Sequence, residues 1–166
     1  GVFLYNRTVA RRVLGTDDPA EVFDSISNWR KFLSTASEAK RKGFYMTPNY
    51  TDMFRAFGGE AMQLTDSDGN AAVKSAALDW AEVAKTMYQN DYCTNDDIWT
   101  QGWISAMNGT RYFGMFACSW MAEMTLPAFS SSTDWAVCQA PAAYSWDGAY
   151  AVVNPRTDNA KAVEQF

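Results

Sequence analysis

Histidine, the commonest general base and the commonest side-chain metal ligand, does not occur anywhere in the 166 residues. Its absence removes every Ser-His and Cys-His nucleophile arrangement. Cysteine is scarce: Cys93, Cys118 and Cys138 form no CxxC spacing and are odd in number. Neither a zinc site nor a closed disulfide framework follows from such a set, and idle or buried thiols are the expectation. No apolar run approaches the ~18 residues of a membrane span, and the mean hydropathy is -0.30. Basic residues are outnumbered, 14 against 19 acidic, for a net charge of -5. Without a basic stripe to neutralise phosphates, nucleic acid is excluded as an expected partner. A leader segment is not evident either: Gly1 is no initiator Met, and Asp158 to Phe166 read as a helix cut off in mid-course. Both ends therefore read as boundaries within a longer polypeptide.

What is present in excess is aromatic surface, 15% of the residues, with seven Trp and eight Tyr. The apolar share of 48% and charged share of 20% are otherwise ordinary for a globular domain. A chain of this length suits one domain that buries roughly 70% of its extended surface.

The apolar run Val2 to Tyr5 predicts a buried strand. Gly15 to Asp18 gives a break and a cap, and Pro19 suits a first helical turn. From Pro19 to about Arg41 the apolar positions Val22, Phe23, Ile26, Trp29, Phe32 and Leu33 recur at helical spacing, with Ser27 or Asn28 able to cap a second helix within the stretch. Phe44 to Thr47 reads as a brief strand, Tyr50 to Phe57 as a helix stopped by Gly58-Gly59, and Asp66 to Asn70 as a tight turn. That turn faintly resembles a calcium loop, but the acidic residues needed further on are missing. Val73 to Gln89 and Asp96 to Met107 predict helices, and Arg111 to Ala117 predicts a strand. A short helix should begin at Ser119 and end near Pro127, followed by strands at Trp135 to Gln139 and Gly148 to Val153 and then the terminal helix. Strands separated by helices predict an α/β fold, a central sheet covered on its faces.

The order of these segments resembles the extracellular solute-binding protein family that includes maltose-binding and multiple-sugar-binding proteins of ABC transporters, with the type II periplasmic-binding-protein architecture. Its carriers are Phe3-Leu4-Tyr5-Asn6-Arg7, the Asp24 to Leu33 helix with Trp29, and the paired Gly58-Gly59. They continue with Met107-Asn108-Gly109 before Tyr112 to Phe116, Ser119-Trp120, Trp135 through Pro141, and Gly148-Ala149-Tyr150 through Ala160-Lys161-Ala162. The resemblance implies one α/β lobe over residues 1–166, with a central mixed sheet flanked by helices, and residues 148–166 leading back toward a first lobe of the same polypeptide. It also implies an extracytoplasmic location, in the periplasm or lipid-anchored at the cell surface, and partnership with ABC transporter permease subunits.

In that family two lobes close on a sugar by hinge motion. A sugar offers apolar C-H faces and a hydroxyl rim, so the site needs flat aromatic walls edged with carboxylates and amides. The resemblance puts Trp120, preceded by Ser119, in the place of the family's stacking Trp. It puts Asn49, Tyr50 and Asp52 at the border of the cleft, with Tyr50 as a second wall and Asp52 as a hydroxyl acceptor. Trp146, Asp147 and Tyr150 fall where the chain recrosses toward the first lobe. Asn49 and Asp52 serve equally well as helix caps, and Trp29, Trp80, Trp103, Phe32 and Phe54 stand at core spacing. The ligand class implied is carbohydrate, with no cofactor, no metal and no turnover. Two alternatives use the same residues: a glycoside hydrolase with a carboxylate pair such as Asp52 and Asp147, and a receptor caging a quaternary amine through cation-π attraction.

Overall fold

The computed structural model describes residues 1–58, 65, 68–70, 75–125, 127, 134–146, 152–154 and 156–163. Strand β1, Val2–Asn6, lies at the centre of a three-stranded sheet, between β2, Gly114–Ala117, and β3, Trp135–Cys138. Both neighbours run antiparallel to it, with Leu4 opposite Met115 on one side and Val137 on the other. The sheet is thus antiparallel where a mixed one was expected, and the parallel pairing is confined to two isolated bridges outside it, Tyr45 to Tyr112 and Thr47 to Cys93. Phe3, Leu4, Tyr5 and Asn6 are all buried. A strand covered on both faces needs an unbroken apolar run, which is why the sequence reads that way.

Each early helix starts from a readable cap. Asn6 Oδ1 accepts the Val9 amide at 3.0 Å and opens α1, Arg7–Leu14, a helix that its three arginines concealed. Asp18 Oδ1 accepts the Ala20 and Glu21 amides ahead of α2, Pro19–Ile26. Asn28 Oδ1 accepts the Lys31 amide at 3.0 Å and starts α3, Trp29–Arg41, so the predicted long stretch is two helices with the break at its internal cap. Helix α2 packs on α3 and on β3.

An aromatic cluster ties these layers together. Phe3 meets Phe32 and Phe116 edge-on at 6.1 and 5.4 Å, and Trp29 stacks on Phe57 at 4.1 Å. Gly114 has to be glycine at this junction, because a Cβ there would drive into the Phe3 ring and the Leu4 carbonyl. Phe32 and Trp103 are fully buried, while Trp29, Trp80 and Phe54 are partly covered.

The stretch Tyr50 to Phe57 forms a 3₁₀ helix over Asp52–Phe57 that Gly58 ends at φ 79°. Helix α4 spans Ser75–Gln89 and α5 spans Gln101–Asn108. The latter starts five residues later than predicted, because Thr100 and not Asp96 provides its cap, accepting the Trp103 amide at 3.3 Å. Residues 91–100 are spent instead on a loop with three non-glycine residues at positive φ, Asp91, Asn95 and Trp99. Ser119 and Trp120 begin a helical turn that continues as a π-turn over Met121–Thr125. Gly69, at φ 82°, fits the predicted turn. The predicted strand at Gly148 to Val153 lies mostly outside the described residues, and Val152 and Val153 are exposed without strand pairing. A short helix, Ala160–Val163, closes the described chain.

Candidate functional site

The segment after Pro48 and the loop 91–100 are stapled together. The Thr94 and Asp96 amides both donate to the Pro48 carbonyl, at 3.2 and 2.9 Å. Asn49 Nδ2 donates to the Asp96 carbonyl at 3.1 Å and to Asp52 Oδ2 at 2.9 Å, while its Oδ1 accepts the Asp52 amide at 2.9 Å. Thr51 Oγ1 donates to Asn49 Oδ1 at 3.1 Å. Asn49 and Asp52 are 3% and 6% exposed, and their polar atoms are engaged by each other, by the backbone and by the neighbouring Thr51 and Arg55 side chains. Burial pushes the Asp52 carboxyl above its ordinary 3.8, while the Asn49 amide and the Arg55 guanidinium pull it back down.

Arg55 links this pair to a further candidate. Its Nη1 donates to Asp52 Oδ1 at 3.2 Å and its guanidinium lies 4.0 Å from the Trp146 ring centre. Trp146 is only 6% exposed, and it contacts Tyr144 at 6.5 Å between ring centres. Tyr144 in turn anchors the sheet: its hydroxyl oxygen accepts the Ala117 amide at 2.9 Å and lies 2.6 Å from the carbonyls of Val2 and Ala117. Tyr50 is half-buried, meeting Tyr88 edge-on at 6.4 Å and accepting the Trp80 indole N-H on its carbonyl at 3.3 Å.

The open aromatic surface lies elsewhere. Trp120 is 37% exposed at the start of the helical turn after β2, with Ser119 exposed beside it. Its ring lies nearly parallel to that of Trp99, at 13° and 6.1 Å between centres. Trp99 is itself 51% exposed and is backed by the fully buried Trp103 at 5.2 Å. No motif marks Trp99 in the sequence. The available signal is Thr100: as the cap of α5 it leaves Trp99 one position outside the helix, off the buried stripe.

Asn49, Asp52 and, through Arg55, Trp146 form one connected group. Trp120 forms another with Trp99, and the loop 91–100 bridges the two. Asp147 and Tyr150 lie outside the described residues. Two hollows, of about 420 and 270 Å³, flank β3 near Val137, Cys138 and Gln139 and involve none of the candidate residues. Among the described residues no group of His, Cys, Asp or Glu could hold a metal ion, and no helix is long and apolar enough to cross a membrane.

A sheet centred on the first strand, with helices on its faces, is similar in fold to one lobe of solved extracellular solute-binding proteins. One solved structure, described as an extracellular solute-binding protein family 1 member, superposes with a TM-score of 0.69 at 12% identity, over 82% of this chain and 37% of its own. The galacto-N-biose/lacto-N-biose I-binding protein of an ABC transporter from Bifidobacterium longum gives 0.62 at 17% identity, over 84% of this chain and 36% of its own. An ABC-transporter-associated binding protein from B. animalis subsp. lactis, solved with β-1,6-galactobiose, gives 0.62 at 18% identity, over 85% and 36%. The chain thus spans little more than a third of the length of these structures. No protein-family profile matches the sequence, and no curated protein matches it.

Proposed function

We propose that this chain is the second lobe of a substrate-binding component of a carbohydrate ABC importer, one that captures a sugar or oligosaccharide outside the cytoplasm and passes it to the permease subunits. The exposed indole of Trp120 carries the reading. A buried aromatic needs no ligand, whereas a large flat apolar face left in water beside a hydroxyl-bearing residue is what the C-H face of a sugar ring requires. The likeness to lobes of proteins solved with sugars supports the same ligand class. The second wall of the cleft comes from a first lobe of the same polypeptide, toward which residues 148–166 lead.

Binding proceeds without turnover. Asp52, the carboxylate a hydrolase would need, is buried and held by Asn49 and Arg55, which favours a positioning role over proton transfer. Trp120 stacks on the ligand, Asn49 and Asp52 hold the loop whose Trp99 lies beside it, Trp146 braces that group through Arg55, and by the resemblance Asp147 and Tyr150 fall where the chain recrosses toward the first lobe.

Titration of the full-length gene product with a panel of mono- and oligosaccharides, read by tryptophan fluorescence and calorimetry, tests the reading. Saturable binding of at least one sugar is expected, weaker by tenfold or more after Trp120→Ala. Cleavage of the sugar, or saturation by choline-like cations and by no sugar, would overturn it. The 166-residue chain alone should bind more weakly than the whole protein, because contacts from one wall offset less of the freedom a ligand loses.

A further inference from the structure

We infer that Trp99 is a second ligand-stacking residue that extends the Trp120 wall, so that the site takes a glycan of two or more rings in preference to a single sugar. The inference rests on the carbohydrate-binding reading above and adds to it a residue and a ligand size.

Three observations carry it. Trp99 and Trp120 are the two exposed large aromatics among the described residues that touch each other, near-parallel at 13° and 6.1 Å between centres. Parallel rings this close overlap in an offset stack, and the parts each leaves uncovered give a stepped apolar strip longer than one indole, on which two successive sugar rings can rest. Second, Trp99 keeps φ at 69°, a left-handed conformation that a bulky side chain adopts only against steric resistance. About half of the side chain held in this conformation faces water. Third, the loop that holds Trp99 is fixed at its base: Thr94 and Asp96 bond to Pro48, the Asp96 carboxylate accepts the Thr94 and Tyr112 hydroxyls at 2.6 and 2.8 Å, and Thr51 reaches Asp97 at 3.4 Å. A ring displayed on a rigid base loses little freedom when a ligand stacks on it. The exposed Asp97, two residues earlier, offers a hydroxyl acceptor beside the strip.

The positive φ supplies a test that separates display from packing. In the full-length protein, Trp99→Gly removes the ring and relieves the backbone, so the thermal midpoint is expected to hold or rise. Affinity for a disaccharide or trisaccharide should fall tenfold or more, and affinity for the matching monosaccharide should stay within twofold. Trp99→Tyr, which keeps an aromatic face, should restore most of the oligosaccharide affinity. A Trp99→Gly protein with unchanged oligosaccharide affinity, or one that loses mono- and oligosaccharide affinity in equal measure with a lowered midpoint, would overturn the inference while leaving the Trp120-dependent reading in place. Failure of the parent protein to bind any sugar would overturn both.

Discussion

The Arg55 guanidinium sits 4.0 Å from the centre of the Trp146 ring and bonds from Nη1 to Asp52 Oδ1 at 3.2 Å. One cation thereby serves a carboxylate and an indole that are 94 positions apart in sequence. The Asp52 side chain is 9% exposed and that of Arg55 22%, so water screens this pair less than a surface pair.

Removing Arg55 should therefore leave a buried carboxylate without its cation. Arg55→Ala is expected to cost about 2 kcal/mol in urea unfolding. Adding Asp52→Asn to it should recover part of that loss, because the uncompensated charge goes with it. Strictly additive losses in the double-mutant cycle would show that the two side chains are not coupled.

The same carboxylate predicts a pH slope. Burial holds the folded pKa of Asp52 above 3.8, so between that value and the folded pKa the native state binds more protons than the unfolded one. The stabilisation from this proton is complete below about pH 3.8 and is lost as pH rises through the folded pKa. The stability of Asp52→Asn minus that of the parent should accordingly climb from acid toward neutral pH and then level off. Urea melts at a series of pH values read this directly, and a difference that falls with rising pH would contradict the burial of an ionisable Asp52.

Tyr144→Phe removes a hydroxyl that joins the ends of β1 and β2. Leaving the Ala117 amide and a carbonyl short of a partner should cost about 1–3 kcal/mol. Faster hydrogen exchange at the Ala117 amide, with the amides of α3 unaffected, would localise the loss to the sheet.

All three thiols are buried, and burial pushes Cys93 up to about 11 and Cys138 up to about 12. Reactivity belongs to the thiolate. A colorimetric thiol reagent at pH 8 should therefore leave these two cysteines of the native protein unmodified over minutes and titrate them promptly in guanidinium. Rapid labelling of the folded chain would show that one of these sites opens.

The legible parts of this molecule are those where one local rule decides. Pro19 after Asp18, Asn28 ahead of Trp29 and Gly58 at positive φ each announce an element boundary from a cap or a turn alone. The Val2 to Tyr5 run announced a doubly covered strand for the same reason. Helix α1 was hidden because its three arginines obscure a stripe of just Val9, Ala10 and Val13. The late start of α5 was hidden because hydrogen bonds to Pro48, distant in sequence, hold residues 94–96 in a loop. The site was legible in the same uneven way. Trp120 follows from the resemblance and stands exposed, while Trp99 owes its place to a cap and a left-handed backbone that periodicity does not reveal. Trp146 reads as a loop aromatic, yet the Arg55 guanidinium and the Tyr144 ring cover it.

Of the three strands, β1 comes earliest in the sequence and both of its partners come much later. Its hydrogen-bonding edges find Gly114–Ala117 and Trp135–Cys138 only after more than a hundred further residues have been synthesised. Contacts of such sequence separation are slow to form, and until they do Phe3, Leu4 and Tyr5 remain a bare apolar ribbon with both sides unsatisfied. A chain built this way depends, while it is being made, on whatever keeps that ribbon from pairing with a neighbour's.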